Sequence, residues 1–237
     1  MTVLRDVIAA QILQFDHPRR STYDPAAGGR LLVCFVVVGL ILQPGLRVLV
    51  RALGLAGERW IALAMVVVLL VAVLVGVRRI AGLGLESIGL HPWAAWTLRE
   101  RIYLLTVGPL AAVAFSIVFR DHFALLARTH GWRDLFLLTL PTGVLWGMAQ
   151  EFIYRGLLQT ELARRLGGVA GVLVANLVFT FGPLHFNHFG IGADAGPRWG
   201  VFAAIFGIGL FFGILYRRSG NLWIPALLHG IWPLNMN

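Results

Sequence analysis

Lysine is absent from this 237-residue sequence, and cysteine occurs once, as Cys34. A single cysteine excludes an intrachain disulfide framework and any cysteine-based metal centre. Set in an apolar run, Cys34 is expected to pack as a small hydrophobe. Charge is scarce as well: 13% of residues are charged and 58% hydrophobic, whereas a soluble domain carries about 25% and about 45–50%. With a mean hydropathy of +0.79, the chain is neither disordered, nor a coiled coil, nor an ordinary soluble enzyme. What charge remains is lopsided, 20 arginines against 11 acidic residues, net +9. These arginines stand singly or in pairs beside apolar runs (Arg19-Arg20, Arg78-Arg79, Arg164-Arg165, Arg217-Arg218). No basic stripe forms, so nucleic acid is not an expected partner. Arginine flanking apolar runs is instead what the positive-inside bias produces in membrane proteins.

The expected fold class is therefore all-α, a polytopic transmembrane helix bundle. A bilayer core about 30 Å thick takes roughly 20 helical residues, which gives about seven spans, six to eight. Leu31–Val50 is interrupted by Gln43-Pro44-Gly45, and Trp60–Val77 is free of charge. Glu86–Arg101 reads as a re-entrant segment with Trp93 and Trp96 at an interface. Ile102–Phe119, Leu135–Leu158, Val169–His185, Trp199–Tyr216 and a short Leu222–Leu234 complete the set. Residues 1–30 are expected to be a cytoplasmic lead-in, with an interfacial helix over Val3–Phe15. Residues 31–133 form the N-terminal helices and 134–237 a helical core. With the N-terminus inside, twelve arginines fall on the inner side and six on the outer, so a multi-pass protein with its N-terminus in the cytoplasm is expected.

An ionisable group inside a span points to function. Glu151 lies within the Leu135–Leu158 segment, with Arg155 four residues on, close enough to pair on one helix face. His185, His188 and His229 lie in the same half of the chain. Gly167-Gly168 makes a natural helix stop. Glu151 lies 17 residues before Gly168 and His185 17 after it; at about 1.5 Å per residue the two reach the same height in an antiparallel hairpin. A carboxylate and a histidine there can activate water as a general base, and a second histidine can stabilise an oxyanion. The same groups would also serve a proton relay. A zinc site built from His185, His229 and Glu151 is a weaker alternative, since no HExxH pair is present. Asn176 is expected to bond between helices, and Gly207, Gly209 and Gly213 to permit close packing.

Gln150-Glu151-Phe152-Ile153-Tyr154-Arg155-Gly156 resembles the EExxxR motif of the CPBP family, the CaaX protease and bacteriocin-processing (Abi) proteins. Phe181-Gly182-Pro183-Leu184-His185 is similar to that family's FxxxH motif, and Leu228-His229-Gly230-Ile231-Trp232-Pro233 to its third, in which Asn or Asp follows the His by four residues. The likeness covers residues 134–236. It implies an intramembrane glutamic-type endopeptidase, similar to the Ras-converting CaaX endopeptidase, that hydrolyses a membrane-associated protein or peptide; separately, the all-arginine basic set points to a GC-rich genome and so to a bacterial or archaeal membrane. Glu151 and His185 would then hold the water, His229 would face the oxyanion, and Arg155 would steady the carboxylate. No cofactor is implied, although a metal has been argued for the family. Two positions depart from the pattern: Gln150 replaces the first Glu, and Pro233 replaces the polar residue of the third motif. Gln150, Asn187, His188 and Asn235 are expected to line the site, Asn187 or Asn235 standing in as amide donor. The alternative is a catalytically inactive scaffold or immunity factor of the same fold.

Overall fold

In a computed structural model, the protein is described over residues 29–190 and 196–231, apart from the side chains of His122 and His130. The expected interfacial helix over Val3–Phe15, Pro233 and Asn235 lie outside these residues.

Helices dominate throughout the described residues, as composition requires. α1 (Arg30–Ala52) and α2 (Arg59–Ile80) are long and apolar, as are α3 (Leu98–Val118) and α8 (Trp199–Ser219). α7 (Gly168–Phe181) continues into a 3₁₀ turn, Pro183–Phe189, with a bend of 53°. Four helices are thus long and apolar enough to cross a membrane, five if the bent pair is one span. Two expected spans and the expected re-entrant segment take other forms. The Leu135–Leu158 stretch is helical but is not among those segments; it carries Gln150, Glu151 and Arg155, all buried in protein. Glu86–Arg101 forms two short 3₁₀ turns, Leu85–Ile88 and Trp93–Ala95, followed by the start of α3. α9 (Trp223–Gly230) has eight residues, too few to span by itself at about 1.5 Å per residue.

Local sequence explains the boundaries. Thr97 and Glu100 close a capping box on α3: Glu100 N–H donates to Thr97 Oγ1 at 3.2 Å and Thr97 N–H to Glu100 Oε2 at 2.6 Å. α4 (Arg120–Asp134) is broken at Gly131, whose φ of 75° only glycine adopts freely. From there a continuous helical stretch runs through a wide turn at Leu135–Thr139, α5 (Leu140–Glu151), a second wide turn at Phe152–Gln159 and α6 (Thr160–Leu166), ending at Gly167 with φ 83°. Such π-type turns open the backbone ladder and gather at functional sites. All eight residues of Phe152–Gln159 are buried.

That turn forms the axis of the core. Tyr154, Leu157 and Phe152 pack with Leu31, Phe35 and Val38 of α1, Leu69 and Val73 of α2, and Phe179 of α7. Its other side meets α8 through a polar seam. Arg155 Nη2 donates to Gly209 O at 2.6 Å and Gln159 Nε2 to Gly213 O at 2.9 Å. Thr160 Oγ1 and Tyr216 OH bond at 2.9 Å. Asn176 Nδ2 reaches Phe206 O at 2.9 Å, an interhelical bond as expected. Positions 206, 209, 213 and 216 recur at helical spacing, so one face of α8 receives all four. Gly209 and Gly213 admit these side chains, since an added Cβ would strike Asn176 Oδ1 and Gln159 Oε1. Gly207 takes no part: an added Cβ there meets nothing within 4 Å.

Candidate active site

α5 and α9 cross at two glycines. A Cβ on Gly147 would lie 2.8 Å from the backbone of His229 and Gly230, and one on Gly230 would lie 2.9 Å from Val144 O. Backbone contact at this crossing brings the side chains one turn further along each helix together. Glu151 closes α5 and His229 sits in the last turn of α9. The two meet: His229 Nδ1 is 2.7 Å from Glu151 Oε1. On its other oxygen Glu151 faces Arg155, with Nε 3.4 Å from Oε2. Neither member of that ion pair reaches solvent, Glu151 at 0% and Arg155 at 1% exposure. Arg155 is held further by Gly209 O and by the Phe179 ring, 4.4 Å beneath its guanidinium carbon. The expected Glu151–Arg155 pairing is therefore present.

The hydrogen bond to Glu151 is made by His229. Beyond the bend after α7, His185 turns its Nδ1 to Phe179 O, 2.8 Å away. A carbonyl only accepts, so Nδ1 carries the proton and Nε2 keeps its lone pair. The same logic at Glu151 gives His229 an Nδ1–H donor and an acceptor Nε2. Each ring is steadied by aromatic contact: His185 stands edge-on to Phe179 at 5.0 Å, and His229 stacks on Phe212 at 4.9 Å.

Both histidines line one cavity of about 540 Å³, together with Gln150, His188, Arg198 and apolar residues of α8 such as Ile205. Gln150 is 2% exposed and its Nε2 has no hydrogen-bond partner. His188 lies alongside His185, ring to ring at 5.9 Å. Glu151 and Arg155 are not in the lining. They sit behind it, and the residue that lines the cavity at this level is Gln150. Asn187 is exposed and outside the cavity, because the 3₁₀ turn directs it away from His188. Gln159 and Glu161 are buried at 2% and 0%. Glu161 is clasped by Arg164 and Arg165 at 2.5 and 2.6 Å.

The proposed zinc set is not assembled. Glu151 and His229 point their donor atoms at each other, and His185 Nδ1 is turned to a carbonyl. Among the described residues no group of three His, Cys, Asp or Glu side chains is arranged to hold a metal ion. Sequence reasoning missed Phe179, Phe212 and Arg198. Phe179 and Phe212 look like ordinary core residues in an aromatic-rich chain, and Arg198 falls between apolar runs with no motif around it.

Comparison with known proteins agrees with the geometry. Residues 132–234 match the family described as type II CAAX prenyl endopeptidase Rce1-like. The matched segment spans 103 of the 237 residues. It contains every residue of the cavity and of the buried ion pair behind it. The chain is also similar to a curated relative in Bacillus subtilis (strain 168), the uncharacterized protein YpbD, at 30% identity over 88 residues. That match spans 37% of this chain and 38% of the relative's length. No solved structure matches the chain. The Rce1-like segment sits in a multi-pass, all-helical membrane protein, and α1 to α3 precede it.

Proposed function

We propose that this protein is an intramembrane endopeptidase that cleaves a peptide bond of a membrane-associated protein or peptide. The observation that carries the reading is the 2.7 Å contact between Glu151 and His229 behind a cavity that His229, His185 and Gln150 share. A carboxylate bonded to Nδ1–H fixes the imidazole tautomer and stabilises the imidazolium that forms when Nε2 takes a proton. His229, backed by Glu151, is thus the proposed general base. Water gives its proton to His229 Nε2 as its oxygen adds to the scissile carbonyl carbon. The carbonyl oxygen becomes an oxyanion that the Gln150 amide N–H, unpaired in the free protein, is suited to receive. His229 then returns the proton to the leaving nitrogen as the C–N bond breaks, yielding a carboxylate and an amine. His185, with its Nε2 free to accept, is proposed to orient the water or the substrate amide.

This assignment moves the base from Glu151 to His229. Glu151 bonds His229 through Oε1, faces Arg155 at 3.4 Å through Oε2 and is not part of the cavity lining, and burial between a cation and an imidazole suits an orienting role. Protein side chains supply every group in the scheme. The family description supports a lipid-anchored polypeptide as the substrate class.

Comparing protein termini in membranes tests the reading, using cells with the wild-type protein, without it, and with His229→Ala or Glu151→Gln. New termini that require both residues are expected. Identical profiles in wild-type and variant membranes would overturn the hydrolase and leave the cavity as a binding site.

A further inference from the structure

A second, larger cavity lies on the other side of α9. It measures about 830 Å³ and is bounded by α3, α4, α5 and the end of α9 at Gly230 and Ile231. His229, one residue earlier, faces the first cavity, so α9 is the partition between the two. The α4 wall is one helix face: Arg120, Phe123, Ala124, Ala127 and Arg128 follow at i, i+3, i+4, i+7 and i+8. Its centre is hollow because small residues meet there, Ala124 and Ala127 of α4 against Ala112 and Ser116 of α3. Aromatic side chains, Phe115, Trp132 and Phe136, close the apolar part.

An apolar hollow of this size is not left empty. Its walls would forgo dispersion contacts throughout, and water finds too few polar partners there to replace them. The volume lies within the range of about 300–1,000 Å³ typical of ligand sites. The bilayer supplies a filler directly, because α3 presents Leu105, Leu110, Val113 and Ile117 to the lipid. Charge selects among lipids. Arg120 and Arg128 stand two turns apart on the groove-facing side of α4, about 12 Å along the axis. Arg120 contacts its neighbour Asp121 at 3.6 Å, a pair 79% and 95% exposed that leaves the guanidinium accessible. Among the described residues no carboxylate contacts Arg128. Guanidinium groups at the rim of an acyl-sized groove bind phosphate bidentately. We infer that this groove is a binding site for an anionic phospholipid, with its acyl chain in the hollow and its phosphate between Arg120 and Arg128.

The inference stands apart from proteolysis, and its test needs no cleavage. The purified full-length protein is equilibrated with equal amounts of phosphatidylglycerol and phosphatidylcholine, and retained lipid is counted by native mass spectrometry. Wild-type protein is expected to retain the anionic lipid about tenfold or more over the neutral one, given two guanidinium contacts. Arg120→Ala with Arg128→Ala should bring the ratio near parity. Ala124→Leu with Ala127→Leu fills the hollow, keeps both charges, and should lower retention of both lipids. Arg78→Ala with Arg79→Ala, at the far end of α2, should leave the ratio unchanged. Equal retention of the two lipids by wild-type protein overturns the headgroup contact. Undiminished retention in the filled variant, shown folded by an unchanged melting temperature, overturns the groove.

Discussion

Glu151 illustrates how one side chain can be indispensable without touching substrate. It is fully buried between Arg155 and His229, so removing Arg155 leaves an uncompensated charge. Breaking a buried pair in this way costs about 3–5 kcal/mol. Arg155→Met is therefore expected to lower thermal stability sharply, and Glu151→Gln in the same protein should restore part of the loss. Strictly additive losses in a double-mutant cycle would show that the two groups do not share an ion pair. Gln150 makes the complementary case at the cavity wall. If its amide receives the oxyanion, Gln150→Ala should lower kcat by about 10²–10³-fold with little change in KM. Gln150→Glu should also lose activity, since it exchanges a donor for an acceptor. A gain of activity in Gln150→Glu would move the general base to that position and refute the Glu151–His229 dyad.

At the scale of elements, the site depends on how closely α5 and α9 approach. Gly147 meets the backbone of His229 and Gly230, and backbone cannot yield as a flexible side chain does. Gly147→Ala should destabilise the protein by about 1–3 kcal/mol through overpacking and reduce activity by prising His229 from Glu151. Gly207→Ala, where the added carbon meets nothing, should be neutral or slightly stabilising, as expected for a helix interior. Equal effects of the two substitutions on stability would exclude the crossing as the critical contact. The same crossing explains what the sequence could and could not reveal. Glu151, Arg155, His185 and His229 stand out because charge and imidazole are conspicuous among apolar residues. The Glu151–Arg155 pair follows from its i,i+4 spacing, but which histidine bonds Glu151 was not legible. Equal heights on a straight hairpin point to His185, whereas the hydrogen bond to Glu151 is made by His229. The partner of Glu151 comes from α9, whose register is set by tertiary glycine contacts. Wide turns such as Phe152–Gln159 leave no compositional mark, because they reuse helix-compatible residues.

For the whole molecule, hydropathy located the long helices: four, or five with the bent pair, are long and apolar enough to cross a membrane. The described part of Leu222–Leu234 is instead a short helix largely buried in protein, and hydropathy does not separate burial in protein from burial in lipid. The arginine distribution bears on orientation. Arg30 donates to Ala81 O at 3.2 Å, an added Cβ on Gly29 would strike Arg165, and one on Gly168 would strike Arg217. His91 Nε2 joins Gly220 O at 3.1 Å, and Leu222 N–H donates to Gly89 O at 2.8 Å. These contacts gather Arg30, Arg78, Arg79, Arg164, Arg165, Arg217 and Arg218 at one end of the bundle. At the other end Arg59 meets Asp134 at 3.4 Å. The positive-inside bias assigns the arginine-rich end to the cytoplasm. α7 and α8 both leave that end, so the cavity wall at Pro183–Phe189 and Arg198 stands toward the opposite face. A substrate would then reach the histidines from the outer side. Single cysteines and a membrane-impermeant maleimide decide the matter in intact cells, because native Cys34 is fully buried and silent. Ala56→Cys, in the α1–α2 loop, should label from outside. Ala94→Cys, in the exposed turn beside α3, should label only after lysis. The reverse pattern would place the cavity mouth in the cytoplasm and make cytoplasmic lipid-anchored polypeptides the substrates to test.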